Sequence, residues 1–429
     1  MAAGSGYGGG GMSLLADLLS TVFDRPSRAI SRAKWDSRPI EQLIADLIGN
    51  RGEIRGMTLA RQILDRYAVM DDAEKLGFFT HLAVDLDIDP AQVRATLEMY
   101  EATPSKANYR AYMEAAEPRR QEFVRRLNQV PSATGSLVAM RRDLLGMARA
   151  NPSLEALDLD FRHLFSSWFN RGFLVLMPIN WESPAHILEK IIQYEAVHAI
   201  DSWSDLRRRM QPTDRRCFAF FHPAMPDEPL IFVEVALTKG VPGSIQKVLA
   251  DGRDVLDADK ADTAVFYSIS NCQAGLAGIS FGNSLIKQVV DDLSRQLPGL
   301  KTFVTLSPIP GLAAWAKDMG IEETVTPDNL QSLAAHYLLN AKRDDGAPRD
   351  PVARFHLGNG AMVHAVHVKA DTSESGQVQS YGAMVNYLYD LSANAQNHEG
   401  FADSFAVAAS TDVKALARAA KKNATNGTI

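Results

Sequence analysis

The strongest constraint on this 429-residue chain is a change of periodicity near Gly172. Upstream, in SLLADLLSTVF, IEQLIADLI, LARQILDRYAVM and EKLGFFTHLAVDL, apolar residues recur three and four positions apart, which is the spacing of one helix face. DPAQVRATLEMY opens with Asp89 as an N-cap and Pro90 at the first helical position. ATGSLVAMRRDLLGMARA and SLEALDLDFRHLFSSWF continue the pattern. Downstream, FLVLMPI, CFAFF, LIFVEVAL, TAVFYSI, KTFVTL and AMVHAVHV are β-rich runs bounded by Pro, Gly, Asn and Asp. Helical stretches lie between them, SPAHILEKIIQYEAVHAI before CFAFF and FGNSLIKQVVDDLSRQL between TAVFYSI and KTFVTL. This predicts an α+β chain of two domains, an all-α bundle over 12–172 followed by an α/β domain over 173–429. At least one strand–helix–strand crossover is expected in the second.

Composition narrows the function classes. A net charge of −6 argues against a general nucleic-acid binder. Two cysteines cannot form a disulfide framework or a Cys-rich zinc site, which fits a reducing, cytoplasmic setting. No apolar run is long enough for a membrane span. Residues 1–11, MAAGSGYGGGG, cannot pack a core and read as a flexible leader with no signal-peptide pattern.

The stretch TAVFYSISNCQAGLAGISFGNSLIKQVVDDL is the most informative. A strand runs to about Ile269, a turn carries Gly275, Gly278 and Gly282, and a helix follows whose apolar face is Leu285, Ile286, Val289, Val290, Leu293 and Leu297. Glycines between a strand and a helix let the backbone approach an anion, and free N–H groups of the first helical turn point at it. The turn is either such a phosphate cradle or simply a tight connection. It matches neither the P-loop, which needs Gly-Lys-Ser/Thr, nor the G-x-G-x-x-G fingerprint.

Ser307 closes the run KTFVTLS, where Phe303, Thr305 and Ser307 share one strand face. Pro308 keeps it extended, so its hydroxyl lies at a strand end, where α/β sheets bind ligands, or else serves the turn. His356 falls in ARFHLGNGAMVHAVHV, which reads as a hairpin with a first strand over Arg354–Leu357 and a Gly-Asn-Gly turn. No acidic residue is evidently placed to orient it, and Ser307 has no G-x-S-x-G context. His364 and His367 fall on opposite strand faces, His222 sits in a loop, and no ligand cluster such as H-E-x-x-H occurs, so no metal is expected.

Five ordered blocks then resemble one family: SPAHILEKIIQYEAVHAI, VFYSISNCQAGLAGISFGNSLIKQVV, TLSPIPG, PVARFHLGNGA and MVNYLYDL. Together they are similar to malonyl-CoA decarboxylases, with AGISFGNSLI resembling the pyrophosphate loop of the GNAT acetyltransferase superfamily. The resemblance implies a GNAT-like catalytic domain behind a helical domain that forms a homo-oligomer. It implies decarboxylation of malonyl-CoA to acetyl-CoA with no cofactor beyond the substrate's own coenzyme A. Ser307 and His356 correspond to the family's catalytic pair, and Tyr389 resembles its active-site tyrosine. Ala277, Gly278, Ile279, Ser280, Phe281, Gly282 and Asn283 correspond to the pyrophosphate loop, with Ile286 lining the pocket. Some relatives carry an acidic residue where Ser280 stands.

On this reading His356 protonates C2, Ser307 orients the malonyl carboxylate, Tyr389 supports that carboxylate, and backbone donors near Ser270 and Asn271 meet the thioester oxygen. Two alternatives use the same loop: an acyl-CoA-dependent acetyltransferase, which needs an acceptor amine, and a non-catalytic CoA-binding protein.

Overall fold

The computed structural model describes residues 36–50, 52–279 and 285–425, with side chains through Lys421. The expected leader 1–11 and the helix over SLLADLLSTVF lie outside the described residues. Among the described residues eight α-helices come first: α1 (Ile40–Gly49), α2 (Glu53–Ala68), α3 (Asp72–Val84), α4 (Pro90–Ala102), α5 (Lys106–Ala116), α6 (Arg119–Leu127), α7 (Ala133–Ala148) and α8 (Glu155–Trp168). Their starts follow local chemistry. The Asp71 side chain accepts from the Glu74 N–H while Glu74 bonds back to the Asp71 N–H, a reciprocal cap for α3. Asp89 accepts from the Ala91 and Gln92 N–H groups ahead of α4, with Pro90 at its first position. Six of these helices, all but α4 and α5, bury apolar stripes in one core that includes Phe79, Phe123, Leu137, Phe161 and Phe165. Each such side chain contributes roughly 1.5–3 kcal/mol by leaving water.

The remainder forms one eight-stranded sheet: β1 (Val175–Ile179), β2 (Arg215–Phe221), β3 (Ile231–Thr238), β4 (Thr263–Asn271), β5 (Thr302–Thr305), β6 (Ser307–Pro308), β7 (Met362–His367) and β8 (Met384–Leu388). The order is β1-β2-β3-β4-β5-β8-β6, with β7 on β8. All these pairs are antiparallel except β4 with β5. That parallel pair is joined through helix α12 (Leu285–Gln296), the crossover expected from the sequence. Between β1 and α12 lie α9 (Ala185–Tyr194), α10 (Trp203–Met210) and α11 (Ile245–Leu249). After β6 come α13 (Leu312–Asp318), α14 (Leu330–Asn340) and α15 (Pro351–Gly358), and after β7 come α16 (Glu374–Ser380), α17 (Asn394–Ser404) and α18 (Thr411–Thr425). Leu285, Ile286, Val289, Val290 and Leu293 of α12 press onto the sheet beside Phe266, Phe303 and Leu357.

Two readings change, and one strand is added. His356 does not lie on a hairpin strand. Asp350 caps a helix by accepting from the Ala353 N–H at 2.8 Å, Pro351 sits at its first turn, and Arg354–Leu357 is helical. SPAHILEKIIQYEAVHAI is helical only through Tyr194, because Glu195 Oε1 accepts from the Val197 and His198 N–H groups, both at 2.8 Å, and turns the chain. Met384–Leu388, inside the MVNYLYDL block, is an inner strand between β5, β6 and β7.

The two halves meet at the turn after β4. Leu276 and Ile279 belong to the helical core, and the guanidinium of Arg141 on α7 donates to the carbonyls of Gly275 and Ala277 at 2.8 and 2.9 Å. A Cβ on Gly275 would stand 1.9 Å from the carbonyl oxygen of Val138, so only glycine fits. Gly146, exposed on the same helix, has no atom within 4 Å of such a Cβ. Gly275→Ala is therefore expected to lower unfolding stability in urea by about 2 kcal/mol or more. Gly146→Ala is expected to raise it by roughly 0.5–1 kcal/mol. Equal effects would contradict this docking.

Candidate active site

The parallel pairing of β4 with β5 runs only from Thr263↔Thr302 to Phe266↔Thr305, although β4 continues to Asn271. Beyond Phe266 one edge of β4 has no strand beside it, while the other keeps pairing with β3 as far as Asn271↔Ile231. Ser270 and Asn271, the expected thioester donors, lie on this stretch. The Ser270 hydroxyl is taken up locally, accepting from the Ala196 N–H at 3.3 Å and lying 3.3 Å from Ser268 Oγ.

Ser307 begins β6 just past the break, paired with Val385 of β8. Its hydroxyl lies 3.2 Å from Nε2 of His356 and donates to Thr305 Oγ1 at 2.9 Å. Thr305 and Ser307 do share a face. Thr305 Oγ1 also accepts from the Tyr387 N–H at 3.1 Å, and Asn386 donates to the Thr305 carbonyl at 2.7 Å, so β8 fixes the end of β5 from both sides. His356 hangs from the last turn of α15 and is 3% exposed. The Tyr387 ring stacks on it at 4.5 Å between centroids with a 25° tilt. Its Nδ1 lies 2.8 Å from Tyr389 Oη.

Tyr389 thus takes the orienting place on His356 that a carboxylate holds in other serine–histidine sites, and its hydroxyl is turned to the imidazole rather than left for a substrate carboxylate. Donor accounting assigns the tautomer. Tyr389 is buried, and its hydroxyl has no acceptor among the described residues other than Nδ1, so it donates there. The imidazole proton then sits on Nε2 and is donated to Ser307 Oγ, whose own proton goes to Thr305. All hydrogen bonds in the row point one way. Burial, with no charged partner at hand, pushes His356 down to about 3, so the ring is neutral at physiological pH. Burial pushes the Tyr389 and Tyr387 phenols well up, keeping both protonated.

Of the expected loop residues, Ala277 and Gly278 are exposed on the turn after β4, Gly278 with φ of +75°. Ile279 is buried in the helical core and Ile286 in the core between α12 and the sheet. Ser280, Phe281, Gly282 and Asn283 lie outside the described residues. His222 is structural: it contacts the Trp168 carbonyl at 3.0 Å, accepts from the Ala224 N–H and packs on Phe169. His367 is held by Asn386. Among the described residues no group of three or more His, Cys, Asp or Glu side chains is gathered as a metal site.

The sequence singles out Ser307, His356 and Tyr389 but not Thr305 as part of the same network, and it leaves Tyr387 and Asn386, the neighbours of Tyr389 in NYLYD, between a site role and a structural one. The alternation in KTFVTLS was the signal available for Thr305.

The comparisons with known proteins agree across the chain. The model of the malonyl-CoA decarboxylase C-terminal domain matches residues 172–327 and 314–427, and that of the N-terminal domain matches 86–169. A mitochondrial malonyl-CoA decarboxylase of Anser anser anser is 35% identical over 348 residues, 69% of either chain. The Mus musculus protein of that name is 31% identical over 353 residues, covering 70% of this chain and 72% of its own. Among solved structures, malonyl-CoA decarboxylase from Agrobacterium vitis is 49% identical with a TM-score of 0.83, over 88% of this chain and 99% of its own. That from Rhodopseudomonas palustris is 46% identical, also with a TM-score of 0.83, over 87% and 98%.

The assigned tautomer is open to nitrogen-15 NMR of histidine-labelled protein. His356 is expected as the neutral Nε2–H form at every pH from 8 to 5, and in Tyr389→Phe the preference for that tautomer is expected to weaken. An imidazolium signal from His356 at pH 6 would contradict the burial argument. Because the folded value lies below the ordinary 6.5, stability from this group is complete above pH 6.5 and is lost as pH falls toward 3.

Proposed function

The chain belongs to the malonyl-CoA decarboxylase family, and from this premise we infer that it converts malonyl-CoA to acetyl-CoA and CO2 through the Ser307–His356–Tyr389 row. The observation that carries the mechanism is that row of three side chains, buried where β5 ends and held by hydrogen bonds of 3.2 and 2.8 Å. In the proposed reaction the bond between C2 and the carboxylate carbon breaks, and CO2 departs. The electron pair remains on C2 and spreads onto the thioester oxygen as an enolate. C2 then takes the proton from His356 Nε2. The imidazole recovers a proton from solvent, so one proton is consumed for each CO2 released.

A neutral imidazole is a sufficient acid here. The carbanion of a thioester is a far stronger base than the nitrogen it would leave behind, so protonation runs downhill without an imidazolium. Ser307 is assigned to the malonyl carboxylate: its hydroxyl proton turns from Thr305 to a carboxylate oxygen, while His356 Nε2–H keeps its oxygen in place. Tyr389 is a positioning residue, fixing the tautomer that presents the proton on the Ser307 side. Unpaired β4 backbone beyond Phe266 supplies donors for the thioester oxygen, and the turn through Ala277 and Gly278 faces the diphosphate.

The same reading takes the reaction to be metal-free, since every step above has a protein group for it. The two cysteines, Cys217 and Cys272, are free and buried, in keeping with a reducing compartment such as the cytoplasm. Assembly through the helical half is supported by apolar side chains left in water there, including Ile54, Val84, Met99 and Leu159.

Incubation with malonyl-CoA alone tests the function. Acetyl-CoA and CO2 are expected in equal amounts without an acceptor, with one solvent deuteron at C2 in heavy water. His356→Asn and Ser307→Ala should each lower turnover by about 100-fold or more. Acetyl transfer seen only with an added amine would favour an acetyltransferase, and loss of activity on adding a chelator would sink the metal-free route.

A further inference from the structure

Two arginines of the helical half converge on the glycine turn, and they are bonded differently. Arg141 of α7 is 1% exposed, and its charge is met by Asp158, whose Oδ1 accepts from Nε at 2.8 Å. Its Nη1 holds the Gly275 and Ala277 carbonyls, so this side chain is wholly committed to the turn. Arg162 of α8 is exposed, and no carboxylate pairs with it among the described residues. A methyl group built on Gly278 would lie 3.9 Å from both Cζ and Nε of Arg162, so the guanidinium stands over the side of Gly278 that a side chain would occupy.

The peptide between Ala277 and Gly278 gives this arrangement a direction. Its carbonyl points at Arg141, and in a planar trans peptide the Gly278 N–H points the opposite way. The neighbouring N–H groups of Leu276, Ala277 and Ile279 are used within the turn, on Gln273, Ala274 and Leu276. The Gly278 N–H has no acceptor among the described residues. An outward amide, a glycine at positive φ and a guanidinium with no ion-pair partner among the described residues thus lie side by side on exposed positions.

We propose that Arg162, from the helical half, is a ligand for the diphosphate of the coenzyme A ester, seated over Gly278, with Arg141 as the positioning residue that turns that amide outward. This rests on the reading above that the substrate is a coenzyme A thioester. Because the guanidinium contacts a part of the substrate remote from the bond that breaks, and binds it equally before and during reaction, its loss weakens binding and leaves the chemical step alone. The helical half is then a part of the substrate site as well as a scaffold.

The test compares Arg162→Ala and Arg162→Lys with the wild-type protein on three substrates: malonyl-CoA, malonyl-(3′-dephospho)-CoA and malonyl-pantetheine. For Arg162→Ala the expected result is a KM raised about 10- to 100-fold on the first two, an unchanged kcat, and no change on malonyl-pantetheine, which has no diphosphate. Arg162→Lys should recover part of the affinity, since it keeps the charge but not the fork. A KM rise confined to malonyl-CoA would assign Arg162 to the 3′-phosphate and overturn the diphosphate assignment. An equal rise on all three, or none on any, would overturn phosphate contact altogether. Should the wild-type protein release no CO2 from malonyl-CoA, the functional reading fails by itself. Calorimetric titration with coenzyme A then still decides the role of Arg162, with an affinity for Arg162→Ala equal to wild type overturning it.

Discussion

The pairing of β4 with β5 ends at Phe266↔Thr305, and the site depends on that ending. Parallel strands that kept their hydrogen bonds would carry Ser307 on along β4 and close the edge of that strand. Instead the chain after Thr305 passes to β8, which takes Ser307 opposite Val385 and holds the Thr305 carbonyl through Asn386. Pro308 helps fix this path, having no N–H to return to a ladder and keeping Ser307 extended. The cost is a stretch of β4 backbone with no strand on one side, tolerable only where water or a ligand reaches it. The same divergence therefore leaves a strand edge unpaired and sets the serine beside it.

The helical half bears on this region through a buried charge. Taking Arg141 out of water is costly unless its donors are met, and they are met by Asp158 on one side and two turn carbonyls on the other. Losing Asp158 would leave an uncompensated charge in the core, and losing the carbonyls would leave buried donors unmet. The turn after β4 is thus tied to α7 by polar geometry and by the contact at Gly275, while Leu276 and Ile279 share the core of the helices. The position of the glycine turn relative to Ser307 is set jointly by the sheet and by the bundle.

Much of this was legible in the sequence. Periodicity gave the helices, and β-rich runs between turn residues gave the strands, because both signals are local. The error at His356 is instructive. Alternating Phe and Leu before Gly-Asn-Gly suggested a hairpin, yet Asp350-Pro351 carried the same start signal that was read correctly at Asp89-Pro90. Cap chemistry outweighed apolar alternation, as it should where four residues of alternation oppose a satisfied N-terminus. The role of Tyr389 was not legible. Its hydroxyl meets His356 only because β8 runs antiparallel to β5, a register that neither segment encodes alone. The approach of Arg141 and Arg162 to the glycine turn is likewise a contact across more than a hundred residues, with no trace in local pattern.

Burial of the imidazole also bears on the type of acid this site can be. A histidine that must carry a full charge at neutral pH needs a nearby carboxylate or solvent to keep its value up, and His356 has a phenol and a serine instead. Such a ring is a poor donor to an oxygen or nitrogen leaving group, which would ask it to become an imidazolium first. It is a good donor to carbon, where the base formed is strong enough to take a proton from a neutral ring. The apolar wall that keeps His356 neutral, Tyr387 stacked on one face and Phe355 at its edge, would also withdraw solvent from a carboxylate seated near Ser307 as proposed. Loss of CO2 disperses that carboxylate's charge, so weak solvation disfavours the reactant more than the product. A dry site thus suits both halves of the reaction, and a row of neutral hydrogen-bonding groups fits it better than a charged triad would.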